Sequence, residues 1–315
     1  MSGLVVIGAS YAGIEAALSA REAGYAEPVT VVADEAWLPY QRPPLSKDFL
    51  LDLVSEQNLI LRDGAFFESR RIDLVLGQRV IAIDRQARRV ELAGGSRLSF
   101  DKLVIATGSH ARRLSVAGAE LDGVCTLRSV ADAIDLKARL RDASEIVVIG
   151  GGFIGLEVAS SAARLGKKVT VIEAAPRLLE RAISAVVSNF LLDAHQAAGV
   201  DVRLGETVAS MIGNDGRIAG VSLTGSARLR ADLVLVGVGG IGASELSASG
   251  VVYGLHDRAD LADVYAQIRA GWALGDQGAG TLWLKNDKGV SMVLKTHRRG
   301  LQLALGADGV IIDFK

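Results

Sequence analysis

Two carboxylates, Asp34 and Glu173, stand just past the short apolar runs 29–32 and 169–172. A carboxylate at such a strand end accepts hydrogen bonds from ribose hydroxyls. Each run follows a stretch of helical periodicity, and each stretch opens on a glycine-rich turn. The turns are Gly8-Ala9-Ser10-Tyr11-Ala12-Gly13 and Gly150-Gly151-Gly152-Phe153-Ile154-Gly155. Small residues let the backbone N–H groups of such a turn approach a pyrophosphate, and the helix N-terminus behind it adds a favourable partial charge. Two strand–turn–helix–strand–acid segments in one chain point to two dinucleotides and to electrons passed between them. Either turn alone also serves as a strand-to-helix connection that binds nothing.

The two copies differ. Ser10 replaces the usual middle glycine of the first turn, and Glu35 is a fallback acid beside Asp34. The second turn keeps Gly150, Gly152 and Gly155. An acid at Glu173 pairs with a free 2′-hydroxyl and repels a 2′-phosphate, so NADH is expected over NADPH. Glu157 falls inside the following helix, where a solvated glutamate is the plain alternative. After the first unit comes Trp37-Leu38-Pro39-Tyr40-Gln41-Arg42-Pro43-Pro44-Leu45-Ser46-Lys47. Pro43 and Pro44 are expected to stiffen an extended stretch. Ser46 is expected to cap a following helix and so fix Lys47 near its first turn. Such a loop can bring Arg42 and Lys47 beside a cofactor ring; otherwise it is a surface loop with ordinary charges.

The elements that must position these residues alternate strand and helix, the pattern of parallel sheets covered by helices. Residues 72–100 break the pattern. Short runs at 74–76, 80–83, 89–92 and 98–100 read as an antiparallel meander, and a strand at 102–106 follows. A linker at 109–118 leads to the second unit, which repeats the plan with runs at 202–204, 208–212 and 218–223 and a closing strand at 232–236. The chain is therefore expected to be internally duplicated, with the segment from about 246 returning to complete the first domain.

Composition agrees. The chain has 315 residues, half of them hydrophobic, with 36 glycines and few aromatics, which favours α/β over a β-sandwich. A formal net charge of −1 without long charged blocks argues against nucleic acid or an anionic membrane as partner. Cys125 is the one cysteine, so no disulfide or Cys-x-x-Cys centre exists within the chain. The four histidines show no metal-ligand spacing. The first apolar run begins at Leu4, leaving no room for a leader in front of it, and a cytoplasmic setting is expected.

The loop at 38–47, Gly8-Ala9-Ser10-Tyr11-Ala12-Gly13 before it, and Gly150-Gly151-Gly152-Phe153-Ile154-Gly155-Leu156-Glu157-Val158-Ala159 after it resemble the FAD-dependent NADH:ferredoxin reductases. These are the reductase components of bacterial aromatic-ring dioxygenase and cytochrome P-450 systems, within the pyridine nucleotide-disulfide oxidoreductase superfamily. The resemblance runs from Gly3 to about Gly239. It implies a glutathione-reductase-like α/β fold: two Rossmann-like three-layer β/β/α nucleotide-binding domains, the NAD domain inserted in the FAD domain. The implied boundaries are 1–110 with 246–315 for FAD and 111–245 for NAD. Gly8, Ser10, Ala12, Gly13 and Asp34 then match the FAD pyrophosphate and ribose positions. Arg42 and Lys47 match residues beside the flavin, and Lys47 would pair with Glu157 as the candidate catalytic pair. Val80, Thr107, Gly108 and Arg128 match further FAD contacts. Gly151, Gly152, Ile154, Glu157, Glu173, Val238 and Gly239 match nicotinamide-cofactor positions. The implied reaction moves a hydride from NADH to FAD and single electrons from FAD to a 2Fe–2S ferredoxin or rubredoxin. A homodimer is compatible with it. The lone cysteine disfavours the disulfide-reductase branch.

The resemblance decays after Gly239. A Pro-Asn pair is replaced by Gly242-Ala243, and an expected Thr by Ala266. The motif Trp272-Ala273-Leu274-Gly275-Asp276 survives, with Asp276 expected on the ribityl chain of FAD. His297-Arg298-Arg299-Gly300 and residues 301–305 read as a helix facing the flavin. Family members run on for roughly another domain that helps dock the ferredoxin. The alternatives are an NADH oxidase or quinone reductase, a slow FAD/NADH-binding sensor, and a scaffold of weakened FAD affinity.

Overall fold

A computed structural model describes residues 2–242, 249–253, 263–274, 277–285, 291–299 and 310–312. Two compact units are present: Met1–Glu180 with Ser184–Ala243, and Arg181–Ile183 with Ser244–Lys315.

The first unit begins with β1 (Gly3–Ile7), α1 (Tyr11–Glu22) and β2 (Val29–Val32). A 3-10 turn (Pro43–Ser46), α2 (Glu56–Leu59) and α3 (Gly64–Ser69) lead to β3 (Ile72–Val75), β4 (Val80–Asp84), β5 (Arg89–Leu92) and β6 (Arg97–Ile105). The strands order as β3-β2-β1-β6-β5-β4. The β3-β2-β1-β6 part is parallel, while β6-β5-β4 is antiparallel. Period-two alternation along β1 explains the three layers. Leu4 and Val6 pack with Ile14 and Ala17 of α1, and Val5 and Ile7 pack with Val90, Leu92 and Phe100 of the meander. Both faces of β1 are thus dry, which is why it reads as one continuous apolar run.

The second half repeats this. After β7 (Ser109–Ala111), β8 (Val124–Cys125) and α4 (Val130–Asp142) come β9 (Glu145–Ile149), α5 (Phe153–Arg164) and β10 (Lys168–Glu173). Then follow α6 (Ala185–Ala197), β11 (Asp201–Leu204), β12 (Val208–Asn214), β13 (Arg217–Leu223), β14 (Arg228–Arg230), β15 (Leu233–Val236) and β16 (Gly240–Gly242). A parallel sheet β11-β10-β9-β15-β8 packs on the β12-β13-β14 meander through Val147, Ile149, Val221, Val234 and Val236.

Several expectations are corrected here. The runs at 74–76 and 202–204 belong to the parallel sheets, as β3 and β11, because they pair with β2 and β10. The runs at 98–100 and 102–106 form one strand, β6. A register shift lets its first part pair with β5 and its second part with β1. The linker at 109–118 is not wholly irregular: β7 pairs antiparallel with β16, so the linker is hydrogen-bonded to the segment that follows β15.

The other unit holds β17 (Ser249–Tyr253), β18 (Asp263–Leu274), β19 (Gln277–Lys285), β20 (Ser291–Arg299) and β21 (Val310–Ile312), antiparallel in the order β17-β20-β19-β18-β21. Residues 297–299, expected to begin a helix, end strand β20, whose backbone is taken up on either side by β17 and β19. Gly275 and Asp276, and the rest of that expected helix, lie outside the described residues. Among the described residues, no helix is long and apolar enough to cross a membrane.

Candidate functional site

The two glycine turns are the same backbone object. Gly8 has φ +109° and Gly150 φ +108°, a region open to glycine at little cost. Gly8 N–H donates to the Val32 carbonyl at 2.7 Å, and Gly150 N–H to the Ile172 carbonyl at 2.8 Å. A Cβ on Gly8 would lie 2.2 Å from the Ala106 carbonyl oxygen, and one on Gly150 2.5 Å from that of Gly237. At the third glycine, a Cβ on Gly13 or Gly155 would meet the carbonyl oxygen of Gly8 or Gly150 at 1.8 or 2.1 Å. The middle position is different. Ser10 and Gly152 both serve as N-caps in extended conformation, and a Cβ on Gly152 finds its nearest atom at 3.9 Å. The fold itself therefore tolerates a side chain there, and a glycine at 152 leaves that space free.

Cations gather at the first turn. Arg42 Nη2 donates to Glu35 Oε1 at 2.6 Å, Nη1 to the Arg128 carbonyl at 2.7 Å, and Nε to Ser10 Oγ at 3.5 Å. Arg128 donates through Nε to the Ser109 carbonyl, and its Nη2 lies 3.8 Å from where a Gly108 Cβ would be. Burial, and then the nearby Arg42, lower the proton affinity of Arg128. Among the described residues no carboxylate makes a hydrogen bond or ion pair with Arg128, although the nearby Glu35 raises its proton affinity. Thr107 and Gly108 follow the C-terminal end of β6 and are exposed, as is Ala12 at the start of α1. Asp34 is exposed, whereas Glu35 is spent on Tyr40 and Arg42. Val80 packs on the other side of the sheet, against the Val90–Phe100 cluster.

Glu173 is held by backbone. Its Oε2 accepts from Gly151 N–H at 2.6 Å and its Oε1 from Ala175 N–H at 2.7 Å. The acids of the two halves are not equivalent in register. The Glu173 carbonyl accepts from Glu206 N–H as that of Ala33 accepts from Gln78 N–H, so Ala33, not Asp34, corresponds to Glu173. Ile154 is exposed beside Gly152; Val238 is half-buried and Gly239 exposed just after β15.

The halves meet where the Arg42–Lys47 loop touches α5. Lys47 Nζ lies 2.9 Å from Glu157 Oε1, so the expected pair is formed. Two expectations about this loop are corrected. Pro43 and Pro44 open a 3-10 turn rather than an extended stretch, their fixed φ suiting a first helical turn. Ser46 does not cap a helix: its Oγ donates to Glu157 Oε2 at 2.5 Å.

Tyr40 ties the loop to the second half. It is 7% exposed, donates to Glu35 Oε2 at 2.5 Å, and accepts from Val130 N–H at 3.0 Å. Burial, and then the bond to Glu35, push its hydroxyl well above the ordinary tyrosine range. Tyr40→Phe strands an acceptor and a donor, an expected loss of about 1–3 kcal/mol in urea unfolding; an unchanged midpoint would show that water replaces the hydroxyl without cost. Glu35 as an ion-pair partner, Tyr40 as a tie to the second half, the bond from Ser46 to Glu157, and Ser161 escaped the sequence reading. A serine one helical turn after Glu157, beside the buried Val158 and Ala162 of α5, was the available signal for Ser161. Cys125 is buried, which pushes its thiol up to about 12.

Comparison with known proteins agrees with this geometry. The sequence profile of the pyridine nucleotide-disulphide oxidoreductases matches residues 2–280. A rhodocoxin reductase of Rhodococcus erythropolis is 44% identical over 245 residues, 78% of this chain and 57% of that protein. A rubredoxin-NAD(+) reductase of Pseudomonas putida is 39% identical over 244 residues, 78% of this chain and 63% of that protein. A crystal structure of a ferredoxin reductase from Rhodopseudomonas palustris superposes with a TM-score of 0.74 at 38% identity, covering 76% of this chain and 59% of the other. The chain thus spans less than two thirds of the length of each.

Proposed function

Because this chain belongs to the pyridine nucleotide-disulphide oxidoreductase family, we propose that it is an NADH-dependent flavoprotein reductase serving a 2Fe–2S ferredoxin or rubredoxin in the cytoplasm. The observation that carries the reading is the Lys47–Glu157 pair, at 2.9 Å, joining a loop of the first dinucleotide unit to the helix behind the second turn. Residues 1–110 with 246–315 are assigned to FAD, and 111–245 to NADH. The N–H groups of the first turn and Arg128 would hold FAD at its phosphates, Arg42 would stand beside the flavin, and Asp34 would take its ribose. Gly151, Gly152 and Glu173 would hold NADH. The chemistry supplied by a bound flavin is acceptance of a hydride from NADH and its onward release as electrons. Lys47 and Glu157, paired at 2.9 Å, would together set the local field between the sites. The names of the relatives, which include a rubredoxin-NAD(+) reductase and a ferredoxin reductase, support the acceptor class.

The test is the visible spectrum of the purified protein before and after anaerobic NADH. A yellow protein that bleaches with NADH and then reduces cytochrome c rapidly only when ferredoxin or rubredoxin is added is the expected result. A colourless protein that FAD cannot reconstitute would overturn the flavoprotein assignment. Rapid reoxidation by oxygen or quinone, with no stimulation by a redoxin, would make it an oxidase or quinone reductase instead.

A further inference from the structure

We infer that Ser46 is a positioning residue that aims the Glu157 carboxylate at Lys47; its role in hydride transfer rests on the reductase reading above. Lys47 and Glu157 cannot hold their geometry alone. Their side chains are 46% and 31% exposed, and exposed ion pairs of this kind order long side chains poorly. Ser46 supplies what the pair lacks. It is 5% exposed, and its Oγ lies 2.5 Å from Glu157 Oε2 while Lys47 occupies Oε1. An ionised carboxylate offers only acceptors, so the hydroxyl must donate. Both carboxylate oxygens are then engaged from the same loop, which fixes the plane of the group.

Ser46 is itself fixed. Its carbonyl accepts from Ser161 Oγ at 3.0 Å, and Ser161 is 3% exposed. Glu157 and Ser161 are one helical turn apart on α5, so one residue of the loop bonds two successive positions of a single helix face. The 3-10 turn that ends at Ser46 sets Lys47 beside the same carboxylate. The loop beside the first dinucleotide turn is thus clamped onto the helix behind the second, with the charged pair at the edge of the clamp. Of the two serines, Ser161 holds the backbone of the loop and Ser46 reaches the carboxylate.

The experiment compares Ser46→Ala, Ser46→Thr and Ser161→Ala with the unaltered protein, as purified with its flavin. Stopped-flow bleaching by NADH gives a limiting rate and a Kd. For Ser46→Ala the limiting rate is expected to fall about tenfold, the effect of one charge-assisted hydrogen bond, with NADH Kd and FAD content unchanged. Ser46→Thr keeps the hydroxyl and is expected to keep the rate, and Ser161→Ala, which loosens the loop backbone but leaves the Ser46 hydroxyl, is expected to lower the thermal midpoint and to slow reduction less than Ser46→Ala. An unchanged rate in Ser46→Ala overturns the inference, and so does an equal slowing in Ser161→Ala or Ser46→Thr. A readout independent of turnover is a thermal-unfolding cycle of Ser46→Ala with Glu157→Ala. The serine change should cost less once Glu157 is gone, and additive losses overturn the contact. If the unaltered protein carries no flavin or does not bleach, the reductase reading fails, while the unfolding cycle still decides whether Ser46 orders Glu157.

Discussion

Gly155→Ala protein is expected to be recovered largely unfolded. A Cβ at this position would sit 2.1 Å from the Gly150 carbonyl oxygen and 3.2 Å from Val148 Cγ1. The first contact is with backbone, so no rotamer change relieves it. The carbonyl it strikes belongs to the residue whose φ of +108° makes the turn, and α5 packs directly behind. Either the helix lifts from β9 or the turn opens. Both expose Leu156, Val158 and Ala159, all buried on that helix. The expected loss exceeds about 4 kcal/mol, a large part of the stability of an ordinary domain. Circular dichroism and urea unfolding measure it. Gly64→Ala is the control: a Cβ there has open space, and alanine is the better helix former, so stability should hold or rise. A well-folded Gly155→Ala protein with an unchanged midpoint would mean that the turn yields more easily than this packing allows.

Replacing Glu173 with alanine is expected to raise the Kd for NADH about 10–100-fold and to narrow the preference over NADPH, the loss of one or two hydrogen bonds to a charged acceptor. Under the proposed function the carboxylate would have two tasks. As a ribose acceptor it would favour a free 2′-hydroxyl and oppose a 2′-phosphate. It also ties down the N–H groups of Gly151 and Ala175, so its removal loosens the second turn as well as emptying the acceptor. Titration of both nucleotides, followed by flavin bleaching, separates the tasks. Weaker binding of NADH alone marks the ribose role, and equal weakening of both nucleotides marks the turn. Unchanged binding of both would remove Glu173 from the site. No matching result is expected at Ala33, its counterpart in register, because the first unit carries its acids one and two residues later.

Both turns, their helices and the alternation of buried strands were legible in the sequence because each rests on local chemistry. A glycine with positive φ, a third glycine under a helix, and an apolar run buried on both faces leave marks within a few residues. The Lys47–Glu157 pair was legible only through the resemblance, since nothing in either segment names the other. What stayed hidden depends on long-range pairing. The run at 74–76 looks the same whether it joins a meander or a parallel sheet, and only its hydrogen bonds to β2 decide. Glu35 and Asp34 look interchangeable until Tyr40 and Arg42 claim one of them.

The amino-acid order by itself determined that this chain makes two dinucleotide-type turns, one with a serine at the middle position and one with a full set of glycines, because backbone sterics at the first and third glycines admit few other residues. Only the tertiary structure decided how the two dinucleotide-type halves of the first unit meet. Ser46 reaches Glu157 across more than a hundred residues of chain, and a hydrogen bond between such distant segments is set by the packing of whole layers, which no short stretch of sequence records.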